Sequence, residues 1–104
     1  MLDLSIGEVA ARTGLSVSAV RYYENQGLIQ ALRSEGRQRR FLRSDIRKLS
    51  FIIAVQGLGF TLDQIRDMLA GLPDQRPPTK RDWARIGKTI RAELDERIAM
   101  MERL

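Results

Sequence analysis

Ser5-Ile6-Gly7-Glu8-Val9-Ala10-Ala11-Arg12-Thr13-Gly14-Leu15-Ser16-Val17-Ser18-Ala19-Val20-Arg21-Tyr22-Tyr23 contains two helix starts and one helix stop. Ser5 stands three residues before Glu8, the spacing at which a hydroxyl and a carboxylate cap a helix reciprocally. Thr13-Gly14 ends that helix near Arg12. Ser16, just past Gly14-Leu15, is placed to cap a second helix from Val17 to before Gly27. Two short helices joined by a glycine-bearing turn form a helix-turn-helix. Leu4, Ile6, Val9, Ala10, Leu15 and Val20 supply its apolar contacts.

Outward from this pair the pattern changes. Leu28-Ile29 and Phe41-Leu42 bracket Arg33-Ser34-Glu35-Gly36-Arg37-Gln38-Arg39-Arg40, apolar ends around a polar centre with one glycine, which predicts a two-stranded hairpin, the wing of a winged helix. A third helix is predicted over Ser44 to Gln56, with Ile46, Leu49 and Ile53 as its apolar stripe, widened by Phe51, Ile52 and Val55. Gly57-Leu58-Gly59-Phe60 breaks it. Thr61, three before Gln64, opens a fourth helix carrying Leu62, Ile65, Met68 and Leu69 on one face.

Pro77-Pro78 marks a stiff linker, and Thr79 with Asp82 caps a last helix. From Thr79 to Leu104 the chain has no proline, enough for about 39 Å of helix at 1.5 Å per residue. Ile90, Leu94, Met101 and Leu104 fall on alternating d and a positions of a heptad, with Arg97 at the intervening d and Ile86 and Ile98 flanking the seam. The predicted architecture is therefore mainly α: a winged helix-turn-helix unit over 1–73, a linker over 74–78 and a long dimerisation helix over 79–104. Ile90, Leu94, Ile98, Met101 and Leu104 are the expected dimer contacts.

Charge is placed unevenly. The formal net charge is +5, but residues 12–48 hold nine basic side chains against three acidic ones, which leaves the other 67 residues slightly negative. Eight of the nine are arginine, whose planar fork suits phosphates and guanine edges. A basic stretch laid over a helix-turn-helix and wing is the electrostatic footprint of a duplex-binding surface. The alternative is a solvated arginine-rich loop. Ser16, Ser18, Arg21, Tyr22 and Tyr23 would act from the recognition helix and Arg12 from the helix before it. Arg37, Arg39 and Arg40 would hold phosphates from the wing. Neighbouring positions on a helix point about 100° apart, so one tyrosine is expected inside and one on DNA, with the assignment open.

Several functions are excluded. The chain has no Cys and no His, hence no disulfide, no zinc finger, no thiol nucleophile and no imidazole base. No carboxylate pair, phosphate-binding glycine loop or metal cluster is visible, so an enzyme is not expected. Trp83 reads as a packing anchor rather than a ligand site. No apolar run approaches a membrane span, and the first residues lack the features of a signal peptide, so a cytoplasmic protein is expected.

In order along the chain, Ile6-Gly7-Glu8-Val9-Ala10, Thr13-Gly14-Leu15-Ser16, Arg21-Tyr22-Tyr23-Glu24, Gly27-Leu28-Ile29, Gln38-Arg39-Arg40-Phe41 and Leu58-Gly59-Phe60-Thr61-Leu62 resemble the MerR family of transcriptional regulators. Phe41 stands where that family more often has Tyr. Finer strings, among them Val17-Ser18-Ala19, Leu72-Pro73, Asp82-Trp83 and Glu93-Leu94-Asp95-x-Arg97-Ile98, are similar to its SoxR-type redox sensors. The resemblance implies a homodimer joined by an antiparallel coiled coil of the long helices. It also implies binding to an inverted repeat in promoter DNA, which the protein distorts so that RNA polymerase engages. In the SoxR type the signal is oxidation of a 2Fe-2S cluster held by four cysteines just after the dimer helix. This chain departs from that pattern: it has no cysteine and stops at Leu104, about where that loop would begin, as a truncated or a natural short form would. No cofactor is therefore expected on these residues, and the cluster is implied only for a full-length parent. Three rival readings remain: an architectural, excisionase-like DNA bender that needs no dimer helix, another MerR-type regulator with a different effector, and an adaptor that uses its coiled coil alone.

Overall fold

A computed structural model describes residues 4–33, 39–73 and 77–104. Its elements are β1 (Leu4–Ser5), α1 (Ile6–Thr13), α2 (Val17–Asn25), β2 (Leu32–Arg33), β3 (Arg39–Phe41), α3 (Ser44–Gly57), α4 (Leu62–Leu69) and α5 (Lys80–Glu102). The chain divides into two compact units, Met1–Ile65 and Arg66–Leu104.

Four helix starts follow from local chemistry. The Ser5 hydroxyl accepts the Glu8 N–H at 3.1 Å, and the Glu8 carboxylate accepts the Ser5 N–H at 3.0 Å. Thr61 and Gln64 repeat this exchange at 3.2 and 2.9 Å, and Thr79 and Asp82 at 3.3 and 2.8 Å. The Ser16 hydroxyl accepts the Ala19 N–H at 3.1 Å. Each such cap contributes about 1 kcal/mol to a short helix.

The helix stops that matter most lie at Gly27 and Gly59. Gly27 takes φ +76°, which lets the Leu28 N–H reach the Tyr23 carbonyl at 3.1 Å and the Gly27 N–H reach that of Glu24 at 3.0 Å. Gly59, at φ +95°, repeats the motif, with the Phe60 N–H on the Val55 carbonyl at 3.3 Å and its own N–H on that of Gln56 at 2.9 Å. Both are Schellman ends, in which a left-handed residue satisfies the last carbonyls and turns the next side chain inward. Leu28 and Phe60, each 4% exposed, are those side chains.

The wing forms as expected, with β2 antiparallel to β3 and Leu32 opposite Arg40, Arg33 opposite Arg39. Residues 34–38 fall outside the described residues. Two details differ from the sequence reading. First, β3 also pairs with β1, Leu4 opposite Phe41, so the sheet has three strands in the order β1-β3-β2. A two-residue strand is too short to show a period of two. Second, Leu28 and Ile29 are buried just after α2, and the ladder begins only at Leu32. Their burial serves the helix exit, not the hairpin.

The core of the first unit is built on Val9, Val20, Phe41, Leu49, Ile52 and Ile65, none of them measurably exposed. On α3 the buried positions are Asp45, Leu49, Ile52 and Val55, whereas Ile53 is 36% exposed. Of the expected apolar stripe, Leu49, Ile52 and Val55 are buried, while Ile46 is half-buried and Ile53 lies at the exposed margin. The remaining buried position is Asp45, whose carboxylate accepts the Leu42 N–H at 3.1 Å. In the second unit Leu72, Asp82 and Ile86 are buried, and α5 extends for 23 residues, about 34 Å at 1.5 Å per residue. Trp83, in its first turn, is half-buried. No helix among the described residues is long and apolar enough to cross a membrane.

Burial raises the Asp45 pKa above the usual carboxylate value, against the opposing pull of the Leu42 N–H and the Lys48 charge. A carboxyl whose folded pKa is raised costs stability when ionised, and that cost is relieved as pH falls. Asp45→Ala strands the Leu42 N–H and lowers unfolding free energy by about 1–2 kcal/mol, whereas Asp45→Asn retains an acceptor and most of the stability. Relative to Asn, Asp gains stability as pH falls through its raised pKa toward 3.8. Urea titrations of the three proteins between pH 4 and 7 check both points, and equal losses for Ala and Asn would rule out the acceptor role.

Candidate nucleic-acid interface

The outward face of α2 follows from what its inward face buries. Val20 is fully buried, while Val17, Ala19, Tyr23 and Glu24 are half-buried. Ser18, Arg21, Tyr22 and Asn25 are exposed, at i, i+3, i+4 and i+7 on one side of the helix. Ser16 is exposed at the N-cap and spends its hydroxyl on the Ala19 N–H. Asn25 completes this face and was not among the residues singled out in the sequence. Its signal was present, since it lies one further helical step from Ser18, Arg21 and Tyr22.

The tyrosine alternative resolves in favour of Tyr22 as the outward ring, 49% exposed. Its ring meets that of Tyr23 edge-on, centroids 5.5 Å apart and planes at 68°. Tyr23 is half-buried, and its hydroxyl donates to Gln56 Oε1 at 2.5 Å. Burial pushes the Tyr23 pKa above the usual tyrosine value, with Tyr22 adding to the shift.

Arg12 is exposed in the last turn of α1, and Arg40 is half-buried on β3. The two converge electrostatically on Glu8. Hydrogen bonds from Ser5 do most to hold that carboxyl below its ordinary pKa, and the charges of Arg40 and Arg12 add to them. Arg39 lies on β3 opposite Arg33. Arg37 lies outside the described residues. Arg43 and Arg47 are exposed around the start of α3.

Of the expected dimer contacts on α5, Ile90 and Leu94 are half-buried, while Ile98 is 50% exposed, Met101 62% and Leu104 wholly exposed. Arg97 pairs with Glu93 at 3.9 Å, one helical turn apart.

Among the described residues no group of three His, Cys, Asp or Glu is placed to hold a metal ion. The sequence has neither Cys nor His, so its residues do not fit an iron–sulfur cluster, which needs thiolate or imidazole donors.

Comparison with known proteins agrees with this geometry. Residues 4–72 match the family described as MerR HTH family regulatory protein, and residues 46–104 the one described as MerR, DNA binding. An HTH-type transcriptional activator SoxR homolog of Chromobacterium violaceum is 46% identical over 97% of this chain and 68% of its own length. A heavy metal-dependent transcription regulator 2 of Rhizobium meliloti is 36% identical over 96% of this chain and 63% of its own length. Among solved structures, a putative MerR family transcriptional regulator from Listeria monocytogenes superposes with a TM-score of 0.69 at 32% identity, covering 96% of this chain and 76% of that one. The two family matches together span residues 4–104, and this chain belongs to the MerR family of DNA-binding transcriptional regulators.

Proposed function

We propose that two copies of this chain, joined through α5, bind an inverted repeat in promoter DNA and distort it so that RNA polymerase engages. The observation that carries this reading is the exposed face of Ser18, Arg21, Tyr22 and Asn25 on a helix whose opposite side is anchored by Val20. A helix presented in this way fits the major groove, with the wing on the adjoining backbone. In this assignment Arg21 reads a base edge and Tyr22 bonds a phosphate. Ser16 and Ser18 lie at the groove entrance, and Arg12, Arg37, Arg39 and Arg40 hold phosphates. The exposed Ile98, Met101 and Leu104, with Ile90 and Leu94, form the seam between copies. The place of work is the cytoplasm, where promoter DNA is reached.

The signal is assigned to the SoxR type, a redox or stress response, on the 46% identity to a SoxR homolog. These 104 residues offer no thiolate or imidazole to hold a redox group, so the assignment rests on the likeness alone. A second reading, a different effector on the same scaffold, is favoured by the 36% identity to a heavy metal-dependent regulator.

Three outcomes test the proposal, using a duplex that the protein itself selects from a random library. Arg21→Ala lowers affinity for that duplex by about 1–3 kcal/mol and shrinks its advantage over a shuffled duplex; an unchanged advantage in competition binding refutes base reading. Arg39→Ala weakens binding to both duplexes alike and reduces the slope of log K against log salt by about 1, and a slope equal to the parent's removes Arg39 from the phosphate set. Ile98→Glu combined with Met101→Glu converts a dimer to a monomer in sedimentation equilibrium, since charges replace apolar seam positions. A parent that already sediments as a monomer refutes the seam.

A further inference from the structure

Tyr23 is held from two directions. Its carbonyl accepts the Leu28 N–H at 3.1 Å in the Schellman end of α2, and its hydroxyl donates to Gln56 Oε1 at 2.5 Å. Gln56 stands in the equivalent turn of α3, where its own carbonyl accepts the Gly59 N–H at 2.9 Å. The side-chain bond therefore joins the C-terminal turns of two helices, 33 residues apart in sequence, each turn already locked by a left-handed glycine. Both side chains are half-buried, where water competes less for the bond. Against this fixed ring rests Tyr22, edge-on at 5.5 Å and half-exposed on the outward face.

We propose that Tyr23 and Gln56 form a strut that sets the tilt of α2, so that Tyr23 is a positioning residue for sequence reading and not itself a phosphate contact. The inference deepens the DNA-binding reading and rests on it. Phosphate contacts tolerate small rotations of a helix, because they carry no sequence information, whereas base-edge bonds do not. Loss of the strut should therefore lower binding to the preferred sequence and leave general duplex binding in place.

The experiment is a double-mutant cycle of Tyr23→Phe, Gln56→Met and the pair, with two readouts. One is affinity for the parent's library-selected duplex and for a shuffled duplex. The other is hydrogen exchange of the α2 amides in the DNA-free protein. Tyr23→Phe keeps the ring and Gln56→Met keeps the side-chain volume, so the core remains filled. Each single change is expected to weaken selected-duplex binding about fivefold, the worth of one net hydrogen bond, and the pair no further. Shuffled-duplex binding stays within about twofold, and the last turn of α2 exchanges about fivefold faster in all three variants. Gln56→Glu, which keeps an acceptor oxygen, holds that exchange at the parent's rate. Additive losses overturn the proposal. So does unchanged exchange, and so does a Tyr23→Phe loss on both duplexes with Gln56→Met silent, the pattern of a phosphate-bonding hydroxyl. A parent that selects no duplex overturns it at the DNA-reading step, and the exchange data then show separately whether the strut exists.

Discussion

A nine-residue helix does not hold its shape in water unaided, because nucleation costs more than so few hydrogen bonds return. The surface described here depends on how α2 is nonetheless kept straight and in place. Val20 is removed from solvent on its inner side, Ser16 closes its first turn, and Gly27 turns the chain so that Leu28 is buried at its exit. With both ends closed and one side buried, the outward positions are set by geometry alone, and Ser18, Arg21, Tyr22 and Asn25 share the side that remains.

The same constraint governs the wing. A two-stranded ribbon of this length is marginal by itself. Here β3 is anchored from both directions: Phe41 is fully buried opposite Leu4 of β1, and the Leu42 N–H just beyond it is held by the Asp45 carboxylate. The price of the arrangement is electrostatic. Residues 12–48 as a whole repel one another through their net positive charge. A fold that carries this repulsion near its surface gains when a polyanion lies against it, which ties the cost in the free protein to the work of the bound one.

The sequence made the helix starts and stops legible, because caps and left-handed glycines act within four or five residues and leave a local signature. Ser5, Ser16, Thr61 and Thr79 all behave as their spacing predicts. Non-local choices were not legible. On α3 the apolar spacing finds Leu49, Ile52 and Val55 but not Asp45, because the contact made at that buried position is a polar one to Leu42, which apolar spacing does not register. The pairing of β1 was missed because two residues carry no periodicity. Which tyrosine faces outward could not be read from Tyr22-Tyr23 itself, because the answer lies with Gln56, far along the chain.

The effector chemistry stands apart from this machinery. Neither thiolate nor imidazole exists in the 104 residues, and no carboxylate cluster among the described ones would replace them. Likeness to a SoxR homolog and to a heavy metal-dependent regulator runs over the same stretch of about a hundred residues, so it measures the scaffold the two share and not the ligand that distinguishes them. A signal of either kind changes DNA binding only by interacting differently with two arrangements of that scaffold. The arrangements open to it are few. The inner side of α2 is packed around Val20, and packed interiors switch between discrete states rather than bending continuously. The Tyr23–Gln56 hydrogen bond ties the exits of α2 and α3, so a signal that broke it would release the end of α2 without unpacking Val20.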